Sequence, residues 1–569
     1  MGEASGTIAR RRELAIVCVA GLAFALLFTW PLATDLLRLG RTLPTDADGQ
    51  LSIWNVAWVA RTLIADPLHL FDTNIFHPNR LTLAYSEANI VAGAVGAPAW
   101  WLTGNPWLTL NVAMLFAFAS SYVCAYLLFR YLTGSAPASA AGAILYAFCP
   151  YVFSHLSHIQ LLMTGGLPLS MLMLHRLVDW ESTGLSKTSP VASAFRRKNS
   201  GGVYLGLALA AQALACAYYG IFAGLMVGYA GIVLAATRKL WTATRYWIGI
   251  ATGALVSIAL VAPFFIPYLL VQSDSGFART VEDNARFSAR PHGYLVSSST
   301  AHGWLLDYAK RFGPWEEVLF PGLLAVILGL AGIVVAVRRA GRDRETILLY
   351  GTLALLAFWA SFGPAAGLYR VLFHLPVFSF LRAPSRLGLI VVLCLSLFAT
   401  FTLRALIEIA GSRRRHLIAA IAIAAAVVDL RIFSLRWFPS PEVPAGYAVL
   451  AEQPRGPLAE FPFYGLRVTF PLHTQYMLFS TAHWMPTING YSDVIPADFR
   501  EAAPVLESFP SDDAFRMLAR RRVRYLAVHW DMFAGRGDEI RDRLAPYLRN
   551  LRVLHEDVRM TLYEVVRYP

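Results

Sequence analysis

The sequence predicts a polytopic α-helical membrane protein carrying a C-terminal α/β domain, and three observations lead there. The chain of 569 residues is 56% hydrophobic and only 15% charged, with a mean hydropathy of +0.50. Soluble domains carry about 25% charged residues. Apolar runs close to 20 residues recur from Leu14 to Phe433, the length a helix needs to cross about 30 Å of hydrocarbon. From about residue 435 the chain turns polar, and short strand-like and helix-like patterns alternate.

The apolar runs give about eleven spans, near 13–35, 107–132, 137–153, 158–178, 202–218, 220–237, 245–271, 318–337, 345–362, 384–407 and 416–434. A basic N-terminus precedes the first run, and no small-residue cleavage site follows it, so it reads as a retained anchor. The segment 89–104 is apolar too, but it is short, contains Pro98 and several glycines, and ends in Thr103-Gly104-Asn105-Pro106. A re-entrant or interfacial element fits it, provided protein buries its irregular backbone.

Charge parity decides the topology. Arg10-Arg11-Arg12, Arg196-Arg197-Lys198, Arg238-Lys239, Arg338-Arg339 and Arg413-Arg414-Arg415 punctuate the span ends. All fall on one face if 89–104 does not cross, as the positive-inside rule requires. The expectation is therefore a multi-pass protein of the plasma (inner) membrane, N-terminus cytoplasmic and C-terminal domain extracytoplasmic. The net charge of +13 is spent at span ends, where it meets membrane lipids, and this placement excludes nucleic acid as a partner. Cys18, Cys124, Cys149, Cys216 and Cys394 lie in apolar segments, which excludes a disulfide framework or a CxxC metal site.

Two domains follow. Residues 1–434 form the transmembrane domain, with a first outer loop at 36–106 and a second at 272–317. Residues 435–569 form an extracytoplasmic α/β domain. Within it Leu458–Phe463, Val523–His529 and Met560–Val566 read as strands, and Asp512–Arg520 and Asp538–Leu548 as helices. No phosphate-binding loop, GxSxG elbow or HExxH occurs there.

The candidate chemistry lies on the outer face. Asp46 and Asp48, in Thr45-Asp46-Ala47-Asp48-Gly49, precede an aromatic-rich stretch, Leu51–Leu63, that reads as an amphipathic interfacial helix. Either carboxylate could deprotonate an acceptor hydroxyl or hold a divalent cation; the same residues also make a good solvated turn. Glu87 stands at the edge of the 89–104 segment, where it is a second catalytic acid or a helix-capping one. His155 and His158 sit at i and i+3 with Gln160 close behind, an arrangement for substrate hydroxyls, a phosphate or a metal, or an interfacial hydrogen-bonded pair. Arg382 and Arg386, at the outer start of a span, can clamp a phosphate or anchor lipid headgroups. In the tail, Tyr464, His473, His483, Trp484, Asn489, Tyr491 and Asp493 form a polar-aromatic set of the sort that binds sugars.

With these residues in place, the chain resembles the GT-C superfamily of integral membrane glycosyltransferases, in outline its protein O-mannosyltransferase and aminoarabinose-transferase branches. The resemblance covers roughly residues 10–270. It rests on the first span and the long loop holding "TDADGQLSIWNVAW", the later acid in "AYSEANIVAGAVGAPAWWLTGNPWLTLN", and the short His-bearing turn. It implies transfer of a sugar from a polyprenyl-phosphate-linked donor to an envelope glycan, lipid or protein acceptor. The family's loop acid falls on Asp46 or Asp48, with the lean to Asp46, and its second acid falls loosely on Glu87. Arg382 and Arg386 would neutralise the phosphate. Those branches often carry Lys-Pro-Pro after the second acid; this chain has Ala88-Asn89-Ile90, which leaves branch and acceptor open. No WWDYG stretch is present, which disfavours transfer of a whole oligosaccharide to asparagine. Two other readings stand beside this one: a transporter or flippase of an envelope lipid, and a non-catalytic scaffold with the same fold.

Overall fold

The computed structural model describes residues 2–183, 200–276, 280–339, 341–374, 378, 381–433 and 435–568. The basic cluster Arg196-Arg197-Lys198 lies outside the described residues. The chain divides into two compact units. The first comprises Met1–Thr34, Met114–Pro263 and Ala278–Arg436; the second comprises Asp35–Ala113, Phe264–Phe277 and Trp437–Pro569.

Helices dominate the first unit. Among the described residues of the whole chain, five helices are long and apolar enough to cross a membrane: Pro106–Thr133, Ala136–Phe153, Ala217–Thr237, Thr244–Asp274 and Pro384–Gly411. Three shorter apolar helices accompany them: Ile90–Thr103, Gly201–Ala215 and Leu323–Arg338. The runs at 384–407 and 416–434 lie in two helices within Gly388–Leu430, parted by a kink at Gly411, whose φ of 69° breaks the α geometry. Only glycine takes that conformation without steric cost. Helix Leu323–Arg338 packs along this long element. A Cβ on Gly332 would stand 1.9 Å from the Phe398 carbonyl oxygen, so close backbone approach there requires glycine. Small residues at helix contacts are how apolar helices gain packing where lipid supplies no hydrophobic drive.

In the second unit a two-stranded ribbon pairs β1 (Leu39–Arg41) with β2 (Phe438–Pro439). A four-stranded sheet follows in the order β3 (Leu458–Phe461), β4 (Tyr525–His529), β6 (Met560–Val565) and β5 (Leu551–Glu556). The β3–β4 pair is parallel and the other two pairs are antiparallel. Both β3 and β4 are buried along their whole length. Alternate side chains feed two cores: Ala459, Phe461, Leu526 and Val528 on one face, Leu458, Tyr525 and Ala527 on the other. That is the period-two alternation of a strand covered on both sides. The crossover from β3 to β4 carries helices Ala497–Glu507 and Asp512–Arg520. The latter opens on Ser511, whose side chain accepts from the Ala514 amide, as an N-cap serine does.

The stretch after the acidic pair is helical, Ala47–Ala65, but it does not present an aromatic face to lipid. Trp54 and Trp58 are buried, and their ring N–H groups donate to Asn74 Oδ1 (3.2 Å) and the Leu70 carbonyl (2.9 Å). Helix Ile90–Thr103 packs against it, and a Cβ on Gly93 would stand 2.3 Å from Val59 Cγ1. Hydropathy alone does not distinguish a lipid-facing aromatic from one packed on protein.

Candidate functional site

In the second unit Asp46 and Asp48 occupy different surroundings. Asp46 is buried and is the N-cap of helix Ala47–Ala65, its Oδ1 accepting from the Gly49 amide at 2.8 Å. The carboxylate folds so tightly over the helix start that a Cβ at position 49 would lie 2.4 Å from its Oδ2, which is why glycine follows the acids. Asp48, in the first turn, is exposed. Arg41 stands near enough to Asp46 for their charges to interact, and its guanidinium is tied to the carbonyls of Pro44 (2.9 Å) and Pro439 (2.7 Å). One turn on, Gln50 Oε1 accepts from the Thr474 hydroxyl at 2.8 Å.

Glu87 is half-buried, and its segment is pinned by backbone. The Glu87 carbonyl accepts from Asn55 Nδ2 (3.0 Å) and Asn89 Nδ2 (3.3 Å), and the Ala88 amide donates to the Tyr268 hydroxyl (2.8 Å). The Glu87 carboxylate lies within electrostatic reach of that same tyrosine. It caps no helix: residue 89 is the N-cap of Ile90–Thr103, and its side chain makes no capping bond. Among the described residues no three His, Cys, Asp or Glu side chains stand together as a metal-binding set.

The first unit gathers the remaining candidates. Helix Pro150–Phe153 ends two residues before the first histidine, and a turn separates it from the short helix Ile159–Leu162. His155 and His158 therefore do not share a helix face, yet the turn brings their ring centroids to 6.3 Å. His155 Nδ1 faces the Tyr151 carbonyl at 2.8 Å, and its Nε2 faces Glu317 Oε2 at 2.9 Å. The Ser154 hydroxyl lies 3.0 Å from the same Nδ1. Glu317 Oε1 lies 3.5 Å from Arg386 Nε. Glu317 thus joins a histidine and an arginine that the sequence had offered separately.

Aromatic rings complete the setting. The Arg386 guanidinium lies 4.7 Å from the Tyr218 ring centroid and that of Arg382 lies 4.7 Å from Phe287, within the range of cation–π attraction. The Arg382 amide donates to the Tyr218 hydroxyl at 2.8 Å. Gln160 is half-buried, and its side-chain oxygen meets no hydrogen-bond donor among the described residues. Burial would raise the Glu317 carboxyl, but the charges and hydrogen bonds of His155 and Arg386 outweigh it and hold its pKa below the ordinary value.

Sequence reasoning missed Glu317 and Tyr218. The signal for Glu317 was present: Glu316-Glu317 abuts the apolar run from Val318, and an acid there is costly unless something pairs it. Two members of the polar-aromatic set in the tail lie inside a core. His473 and Asn489 are fully buried. Asn489 Oδ1 accepts from the Glu460 amide at 2.8 Å, and its Nδ2 approaches His473 Nδ1 at 3.2 Å. These two side chains hold β3 to its neighbours and are closed to a sugar.

Neither a family model nor a curated protein matches this chain in sequence. Solved structures do. The archaeal oligosaccharyltransferase AglB from Archaeoglobus fulgidus, solved with an inhibitory peptide and a dolichol-phosphate, aligns at 14% identity over 92% of this chain and 69% of its own, with a TM-score of 0.52. The arabinofuranosyltransferase AftD from Mycobacteria aligns at 14% identity over 98% of this chain and 42% of its own, with a TM-score of 0.57. The chain has the GT-C fold. The GT-C likeness spans nearly the whole chain, C-terminal region included, where the sequence resemblance had reached only to about residue 270. At these identities it is a likeness of fold.

Proposed function

We propose that this GT-C protein is a glycosyltransferase that moves a sugar from a polyprenyl-phosphate-linked donor to an envelope acceptor at the extracytoplasmic membrane face. The observation that carries the reading is the arginine pair at the start of the span Pro384–Gly411, with Arg386 fixed by Glu317. Guanidinium groups at a span start suit a phosphate, which they can clamp through paired N–H donors. The fold supports it, being shared with AglB, which was solved with a dolichol-phosphate.

The chemistry is a displacement at the anomeric carbon. The acceptor hydroxyl oxygen forms the new bond, the bond to the phosphate oxygen breaks, and polyprenyl phosphate leaves with the electron pair. Arg382 and Arg386 neutralise that leaving phosphate, with His155, His158 and Gln160 as hydrogen-bonding partners for the donor. The hydroxyl proton goes to the acidic pair: Asp48 is the exposed carboxylate, and Asp46 holds the turn that presents it. Glu87 is the second acid toward the acceptor. The same reading takes eleven crossings with the N-terminus in the cytoplasm, on the strength of charge parity.

The test is release of polyprenyl phosphate from a defined polyprenyl-phosphate sugar by the protein in nanodiscs with an envelope acceptor. Loss of an acid used in proton transfer costs roughly 10²–10⁴ in rate, so Asp46→Asn and Asp48→Asn together should fall at least a hundredfold. Full activity in both single variants and the double variant would sink the assignment. So would donor-lipid flux across proteoliposomes with no covalent product.

A further inference from the structure

A cleft of about 600 Å³ opens in the second unit, lined by Asn79, Arg80, Leu81 and Tyr85, by Val271 and Asp274, and by residues from Arg467 to Arg500. Its size falls within the roughly 300–1,000 Å³ of small-ligand sites. Three guanidiniums face it, those of Arg80, Arg467 and Arg500, all exposed. Among the described residues none of the three closes an ion pair, although carboxylates line the same walls. Asp498 is occupied by Arg521 Nη2 at 2.9 Å and Asn79 Nδ2 at 3.1 Å, which fixes one wall. Asp274 and Asp493 are exposed.

Guanidiniums and carboxylates on the walls of one concavity offer both donors and acceptors. A free anion suits it poorly, because each guanidinium it approaches has carboxylates on the same walls. A polyol suits it well: each hydroxyl both donates and accepts, so it satisfies a carboxylate and a guanidinium at once. Tyr85 and Phe470 add the apolar ring faces against which the C–H face of a sugar packs. Of the polar-aromatic set read in the tail, only Asp493 lines this cleft.

We infer that the cleft binds a short stretch of neutral oligosaccharide, so that the acceptor is a glycan chain held several sugars away from the reacting end. This deepens the transferase reading and rests on it for the word acceptor. The experiment is titration of the full-length protein in nanodiscs with mannohexaose and with an arabinan hexasaccharide, and with a galacturonic acid hexamer as the polyanion of the same length. At least one neutral hexasaccharide should bind and change little between low and high salt. Tyr85→Ala, and separately Asp274→Asn combined with Arg500→Ala, should weaken that binding tenfold or more while melting temperature stays at the wild-type value. The inference is overturned if neither neutral hexasaccharide binds, if both variants bind as wild type does, or if only the galacturonic acid hexamer binds. Binding needs no donor. A protein that binds the hexasaccharide but transfers nothing would sink the transferase reading and keep the cleft; one that transfers without binding would do the reverse.

Discussion

Replacing Glu317 by Gln tests the first-unit cluster directly. The carboxylate lies 2.9 Å from His155 Nε2 and 3.5 Å from Arg386 Nε, and the three side chains are 10%, 8% and 12% exposed. Removing one member of a buried ion pair costs about 3–5 kcal/mol, chiefly because the partner is left as an uncompensated charge. The Tyr218 ring stays 4.7 Å from the Arg386 guanidinium and retains roughly 0.5–2 kcal/mol of that stabilisation. The loss for Glu317→Gln should therefore sit near the lower end, about 3 kcal/mol, or about a hundredfold in the folded-to-unfolded ratio. The assay is denaturant unfolding in mixed micelles, followed by tryptophan fluorescence, for wild type, Glu317→Gln, Arg386→Gln and the double variant. The double variant should be more stable than the sum of the single losses predicts, by about 1 kcal/mol or more, because neither Glu317 nor Arg386 is then left without the other. Additive losses would refute the pairing. The pH dependence carries a sign. Since the folded pKa lies below the ordinary 4.5, this stabilisation is complete above 4.5 and is lost as pH falls through the folded value. Glu317→Gln should remove that part of the acid limb.

Two further outcomes follow from the second unit. Asp46→Ala should lower stability by about 1 kcal/mol through loss of the cap, whereas Asp46→Asn should cost only a few tenths, since Asn caps as well as Asp; equal melting temperatures for the two variants would refute the capping role. His473 lies between Tyr464 O (3.1 Å) and Asn489 Nδ2 (3.2 Å), an environment for the neutral ring. Burial pushes its pKa down to about 4 from 6.5, with the Tyr464 carbonyl only partly offsetting it. The unfolded chain then binds the extra proton first, so stability should fall as pH drops from 6.5 to about 4. His473→Gln should flatten that window in a pH series of melting curves.

Patterns of short range were legible in the sequence. Helix Asp512–Arg520 matches its expected bounds, and three of the four sheet strands fall where apolar runs placed them. The fourth strand, Leu551–Glu556, shows no run of buried residues: it lies partly exposed at one end of the sheet, whereas β3, at the other end, is covered and keeps an apolar run. The sequence reading placed two spans on either side of the arginines after Gly411, and the helix is parted by a kink at that glycine.

The functional residues divide along the same line. His155, Arg382 and Arg386 could be named one at a time, because each is an unusual residue at the end of an apolar run. What joins two of them is Glu317, and pairing across distant segments leaves no periodicity to read. The same limit applies to the polar-aromatic set of the tail. A histidine and an asparagine near aromatics look alike in sequence whether they face a ligand or, like His473 and Asn489, fasten a strand inside a core. Cost is the usable discriminator. A charged group at the edge of a long apolar run must be paired or solvated, so Glu317, beside Val318-Leu319-Phe320, demanded a cation. The search for that cation leads to Arg386.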